Sequence, residues 1–293
     1  MADSQKQTVQ WFPGHMAKTR RLIKESLPMV DAVTELLDAR IPVSSRNPEL
    51  DGLTNKKPRI VLLNKCDMAD DNITRQWIEY FREQGQYALP VDCRSGKGLN
   101  KYHDLVRTVL ADKIRSNEEK GMPGKPLRMM VVGIPNTGKS SFINRMAGKN
   151  RAKVADKPGV TRQNQWFAIG GGIELLDTPG VLWPKFDDPV VGDRLAFIGS
   201  VKDEVLDSET MAVRLIEVLR DGYEDKLTSR FKLKNIGDIH EAMPWEILEE
   251  IGRERGMLIR GGEVNTERAS VMLLDEYRGG KMGKISFERP PKK

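Results

Sequence analysis

The feature that most constrains this chain lies near its middle, where Gly133-Ile134-Pro135-Asn136-Thr137-Gly138-Lys139-Ser140 follows an apolar run and precedes a helical pattern over 141–146. Strand, glycine-bounded loop and helix in that order make a phosphate cradle. The glycines let backbone N–H groups turn inward, the helix N-terminus adds partial positive charge, and Lys139 reaches the outer phosphates. Asn136, Thr137, Gly138, Lys139, Ser140 and Ser141 are therefore candidate nucleotide contacts, with Ser140 placed to ligate Mg²⁺ directly. An ordinary glycine-rich turn would account for the glycines, but not for a Lys-Ser pair in register with both strand and helix.

A short apolar strand over 59–63 runs into Asn64-Lys65-Cys66-Asp67. This pattern suits guanine. Asp67 can accept from the ring N1–H and the exocyclic amine, Asn64 can bond the opposite edge, and the Lys65 stem can cover the ring face. Adenine presents the wrong donors. A helix over 73–84 and a strand over 87–91 then lead to Asp92-Cys93-Arg94, in the place where guanine-binding proteins usually have Ser-Ala-Lys with a backbone N–H on the base oxygen; the side chains differ here, but a backbone contact at Cys93 can survive the change. The nucleotide-contacting set thus includes Asn64, Lys65, Cys66, Asp67, Asp92 and Cys93.

Downstream of the phosphate loop, the stretch 153–163 carries Pro158-Gly159-Val160-Thr161, and Thr161 is the candidate second hydroxyl ligand of Mg²⁺. Strands over 164–169 and 173–176 flank a triple-glycine turn, and the second delivers Asp177-Thr178-Pro179-Gly180. Asp177 would hold a Mg²⁺-bound water, and Gly180 would bring a bare backbone N–H to the γ-phosphate. Together these motifs define a GTP site.

Their order is unusual, because the base-reading loops at 64–67 and 92–94 precede the phosphate and metal loops at 133–180. The expected fold is α/β, a circularly permuted P-loop GTPase domain followed by a C-terminal all-α domain. With Trp11-Phe12-Pro13-Gly14-His15-Met16-Ala17-Lys18 and Asp38-Ala39-Arg40-Ile41-Pro42 added, nearly the whole chain closely resembles the bacterial ribosome biogenesis GTPase A family, a permuted branch of the Ras-like GTPases. The resemblance implies a GTP hydrolase that binds the precursor of the large ribosomal subunit, both its RNA and its proteins, and assists a late assembly step, with the ribosome stimulating hydrolysis. In potassium-dependent GTPases an Asn at the position of Asn136 resembles a K⁺ ligand. Where many GTPases carry a water-orienting Gln after Asp-x-x-Gly, this chain has Val181, and the resemblance points to His15 for that task beside Lys139 and Gly180. The other reading of His15 is an RNA contact at a helix start. An alternative for the whole chain is a GTP-regulated RNA-binding module whose hydrolysis is incidental. A metabolic kinase is disfavoured by the guanine-reading motif.

Charge supports a polyanionic partner. Residues 101–170 hold 14 Lys and Arg against 5 Asp and Glu, whereas residues 201–277 hold 11 against 18. A second basic cluster, Arg278, Lys281, Lys284, Arg289, Lys292 and Lys293, closes the chain. The expected division is a GTP-binding domain with a basic N-terminal segment over 1–186 and a helical domain with a basic tail over 187–293. In the second, helices are predicted over 189–198, 208–219, 236–243, 244–255 and 266–277, with Ser208 and Asn265 as caps. Upstream, an amphipathic helix is expected through Met16, Thr19, Ile23 and Leu27, a strand over 30–37, a helix over 99–115 and a loop over 116–126. Cys66 and Cys93 lack disulfide or metal spacing and are expected reduced near strand ends. With no apolar run of membrane-spanning length and no signal-peptide pattern, the chain is expected to be cytoplasmic. A monomer is the expected state.

Overall fold

The computed structural model describes residues 16–54, 57–148, 165–183, 186–201, 203, 206–233 and 236–292. His15 and Thr161 lie outside the described residues. Two compact units emerge. The described residues up to Trp183 form the first together with those from Glu288 onward, and Phe186–Phe287 forms the second.

The first unit is built on six strands: β1 (Ala32–Asp38), β2 (Arg59–Asn64), β3 (Tyr87–Pro90), β4 (Leu127–Val132), β5 (Gln165–Ala168) and β6 (Ile173–Asp177). Their order across the sheet is β3-β2-β1-β4-β6-β5, with every neighbouring pair parallel except β5 against β6. Each residue of β1 is buried, as a central parallel strand covered on both faces requires. From β1 the chain builds outward through β2 to β3, then returns to the other side of β1 as β4. The resulting reversal between β1 and β4 opens a crevice at the carboxyl ends of the strands, where open α/β sheets bind ligands.

Side-chain alternation fills both faces. On one, Leu36, Leu62, Met129, Val131 and Leu175 pack with Tyr102 and Phe142; on the other, Leu37, Val61 and Leu63 meet Trp77 and Phe81 of α3 (Asp71–Glu83). A third cluster joins Val33, Met130, Val132 and Leu176 to Ile23 of α1 (Met16–Ser26), Leu50 and Val181. Leu50 lies on α2 (Pro48–Thr54), a helix the sequence pattern did not single out although Asn47 precedes Pro48 and its side-chain oxygen accepts the Glu49 N–H at 2.9 Å.

The predicted helix over 99–115 divides into a 3₁₀ turn, α4 (Tyr102–Val109) and α5 (Ala111–Glu119). Between the last two, Leu110 leaves helical geometry at φ −107° and ψ 21° while its side chain stays in the core. α5 continues to Glu119, into what was expected as loop. Cys66 and Cys93 are free and buried.

The second unit holds α7 (Pro189–Phe197), α8 (Ser208–Phe231), α9 (Pro244–Glu254) and α10 (Thr266–Arg278). The cap of α8 is Asp207 rather than Ser208, its carboxylate accepting the Glu209 and Thr210 N–H groups, while Asn265 caps α10 as expected. α8 runs 12 residues beyond the predicted end and kinks at Tyr223, just after Gly222. There the Tyr223 hydroxyl donates to the Ser286 carbonyl at 2.7 Å and accepts its N–H at 2.9 Å. No helix forms over 236–243. Asp238 instead accepts the His240 N–H at 2.9 Å in a local turn, Gly237 weakens helical propensity, and Pro244 favours the extended backbone seen at Met243.

Residues from Glu288 onward belong to the first unit, not to the helical domain that the sequence division assigned them. The cause is a buried carboxylate. Glu288 accepts the Val43 N–H at 2.5 Å, the Ser44 N–H at 3.0 Å and the Ser44 hydroxyl, while its carbonyl accepts Trp77 Nε1–H at 3.1 Å. Glu288→Ala should leave two backbone donors without their acceptor and destabilise the first unit by about 1–3 kcal/mol. Chemical denaturation checks this against Arg289→Ala, which removes an exposed side chain and should change little.

Candidate nucleotide site

The phosphate loop follows β4 and wraps into α6 (Lys139–Ala147). Gly133 (φ 149°) and Gly138 (φ 99°) take conformations that L side chains rarely adopt. Space is also missing: a Cβ on Gly133 would lie 2.6 Å from the Leu36 carbonyl oxygen, and one on Gly138 would collide with the Asn64 amide. Asn136 is held left-handed at φ 61° and half-buried. Ser140 and Ser141, also half-buried, sit in the first turn of α6, where backbone N–H groups have no helical acceptor.

Lys139 is buried and donates to the Ile134 carbonyl at 2.7 Å, so its ammonium is curled onto the loop it serves. Burial pushes its pKa down to about 8 against the opposing pull of the Asp177 carboxylate. Asp177 ends β6, pairs in register with Val131 and is buried, which places a carboxylate beside the start of the phosphate loop. With the Ser140 hydroxyl it offers the sparse oxygen ligation that suits a Mg²⁺ ion held mainly by substrate phosphates and water. Gly180 lies against the same loop: a Cβ there would come 2.9 Å from both Lys139 Nζ and Pro135 N. Its backbone approaches only because it lacks a side chain.

The Val181 side chain is 2% exposed within the Ile23, Leu50 and Leu176 cluster. Its N–H donates to the Gly133 carbonyl at 3.3 Å, and its carbonyl accepts Asn47 Nδ2–H at 2.9 Å. The position where other GTPases place a water-orienting side chain is here committed to the core.

At the base-reading end, Asp67 is exposed, and Lys65 stands at φ 59° with its ammonium 3.1 Å from Asp38 Oδ2. Asn64 is buried between two loops: Nδ2–H donates to the Thr137 carbonyl at 2.7 Å and Oδ1 accepts the Cys93 N–H at 2.9 Å. This corrects the expectation for Cys93, whose N–H is spent on Asn64 rather than turned toward a base oxygen. Asn64 keeps one of its two amide hydrogens for other acceptors. Asp92 organises its own loop, accepting the Arg94 N–H at 2.8 Å and the Ser95 N–H at 3.2 Å. Cys66 packs into the core, its N–H on the Val91 carbonyl at 3.2 Å. Asp38, Arg40 and Asn47 had not been singled out as site residues, although the Asp38-Ala39-Arg40 run at a strand end was visible in the sequence.

A phosphate loop, an Asp-x-x-Gly turn and an Asn-Lys-x-Asp loop at one sheet edge, reached in permuted order, define a P-loop GTPase. A family model described as "50S ribosome-binding GTPase" matches residues 128–241, leaving the guanine-reading motif upstream as permutation requires. Ribosome biogenesis GTPase A of Bacillus cereus is 45% identical over 96% of this chain and 94% of its own length, and that of Thermotoga maritima 33% identical over 96% and 94%. A GNP-bound crystal structure of YlqF from T. maritima superposes with a TM-score of 0.66 at 30% identity, covering 94% of this chain and all of that one. The chain belongs to the ribosome biogenesis GTPase A family; it binds and hydrolyses GTP in ribosome biogenesis.

The buried lysine makes binding proton-linked. A triphosphate or diphosphate favours charged Lys139, so nucleotide binding should take up a fraction of a proton that grows as pH rises through about 8, and affinity should fall by up to about tenfold per pH unit above it. Calorimetry of GDP binding in buffers of different ionisation enthalpy between about pH 7 and 9 measures this uptake. Lys139→Met should abolish it.

Proposed function

We propose that this GTPase acts in the cytoplasm as a monomer, binding the precursor of the large ribosomal subunit and assisting a late step of its assembly, with the particle stimulating hydrolysis. The family model that matches describes 50S ribosome-binding GTPases, which supports the choice of particle. Ribosomal RNA is met by basic surface: Lys101, Arg107, Lys113, Arg115, Lys120, Lys125 and Arg128 are all exposed.

The observation that carries ribosomal stimulation is the burial of Val181. With that side chain in the core, a group outside the Asp-x-x-Gly turn orients the attacking water. His15 is the candidate. Of the chain's three histidines, His103 faces the Ile169 carbonyl at 3.2 Å and His240 faces Glu224 at 3.1 Å in the second unit. An imidazole brought to the γ-phosphate on the particle would complete the site there and leave the free enzyme slow. Ser140 and Thr161 would ligate Mg²⁺ directly and Asp177 through water, neutralising phosphate charge. Lys139 and the Gly180 N–H stabilise the transferring phosphoryl group. Asp67, Lys65 and Asn64 hold the guanine, with Cys66, Asp92 and Cys93 shaping the loops around it.

Turnover of GTP should rise markedly on adding purified large-subunit precursors. His15→Ala should still bind particles and GTP but lose ~10²-fold or more of the stimulated rate. Weak particle binding with normal turnover at saturation would make His15 an RNA contact, and absence of stimulation in the unmodified protein would leave hydrolysis incidental to binding.

Asn136 is the proposed K⁺ ligand of the phosphate loop. Hydrolysis should be faster in K⁺ than in Na⁺ at equal ionic strength, and Asn136→Ala should erase the difference. Equal rates in the two salts in the unmodified protein would remove K⁺ from the site.

A further inference from the structure

The guanine-reading Lys65 rests on a charge cluster that the GTPase motifs do not include. Asp38 ends β1 directly beside Asn64 of β2, and the next residue, Ala39, donates its N–H to the Asn64 carbonyl at 2.8 Å. The Asp38 carboxylate is fully buried. Its Oδ1 accepts Arg40 N–H at 3.1 Å and Nε–H at 2.9 Å, and its Oδ2 accepts Arg40 Nη2–H at 2.8 Å. Arg40 is itself 1% exposed, so the two form a closed, neutral pair. Lys65 then adds a fourth contact, Nζ to Oδ2 at 3.1 Å.

We infer that Asp38 is a positioning residue for guanine recognition, holding the Lys65 ammonium at one point so that its stem lies across the base. This rests on the reading of residues 64–67 as the base site.

Neutralisation cannot be the reason for this fourth contact, since Arg40 already balances Asp38 and occupies three of its acceptor positions. Lys65 is the partner with the need. Its backbone is left-handed at φ 59°, a conformation disfavoured for a residue with a Cβ. Burial and the nearby Arg40 guanidinium both press its ammonium toward the neutral form, and the attraction of Asp38 opposes them. Arg40 has a second effect: by filling the other acceptor positions it confines Lys65 to Oδ2. Beneath the cluster, Ser45 Oγ accepts the Asp38 N–H at 3.0 Å and donates to the Ile41 carbonyl at 2.7 Å, so the carboxylate stands on a fixed backbone. The anchor stands on β1, and Lys65 reaches it from the loop that follows β2.

The test is a double-mutant cycle on the full chain, with Asp38→Asn, Lys65→Ala and the pair, reading the affinity for a fluorescent GDP and the steady-state constants for GTP. Lys65→Ala leaves the Asp38–Arg40 pair intact and should fold. Asp38→Asn should weaken GDP binding about tenfold or more in the unmodified background and less than about twofold in Lys65→Ala, raising KM for GTP while sparing kcat. An equal loss in both backgrounds, or no loss in either, overturns the inference. If Lys65→Ala alone leaves GDP affinity unchanged, the reading of 64–67 as the base site fails instead. Should Asp38→Asn not melt cooperatively, Asp38→Glu, which keeps the charge but displaces it, takes its place in the same cycle. Failure of both to fold would make Asp38 a requirement of the sheet and overturn its role toward the base.

Discussion

The site depends on one buried amide. Asn64 ends β2, yet its hydrogen bonds go to the phosphate loop at Thr137 and to the loop at Cys93. Those three segments leave three different strands, and the amide ties the phosphate loop to the loops after β2 and β3. It is also why Gly138 must be glycine, since any Cβ there would occupy the space of the Asn64 side chain. A buried amide with its partners in place is worth more as a positioning device than as a source of stability, because leaving either partner unpaired costs ~1–3 kcal/mol and moves a loop.

Permutation changes the chain's route but not this geometry. β1, β2 and β3 precede the phosphate loop in the chain, and β4 pairs with the free side of β1, with β6 beyond it. The same route lets residues from Glu288 onward return to the sheet-bearing unit and cap the loop at Val43 and Ser44. Near that loop, Ser45 supports Asp38 and Asp38 holds Lys65. A run of buried polar contacts therefore reaches from the end of the chain to the base-reading lysine.

Around the phosphate loop, packing and close approach are divided between neighbouring residues. Val181 and Gly180 show the division: adjacent residues, one buried in the core and one kept bare against Lys139 and Pro135. The core contact fixes the turn so that the glycine can approach. A side chain that both packs in an apolar cluster and orients water is not available at one position, and this protein has used Val181 for packing.

Much was legible in the sequence because the signals are local. The phosphate loop needs its glycines, lysine and serine within eight residues, and the flanking strand and helix announce themselves by contiguous apolar pattern. The same locality made Asn64-Lys65-Cys66-Asp67, Asp177-Thr178-Pro179-Gly180 and the Gly170-Gly171-Gly172 hairpin readable, and their order implied the permuted fold. What escaped was decided by contacts between distant segments. The end of α8, the turn in place of a helix over 236–243 and the break at Leu110 are settled by packing or competing side-chain bonds that overrule weak propensities. The burial of Val181, the spending of the Cys93 N–H on Asn64, the grip of Asp38 on Lys65 and the docking of Glu288 on residues 244 and 245 positions away are tertiary outcomes. Each depends on strand register and on which loop ends meet at the sheet edge, quantities that no stretch of sequence carries by itself.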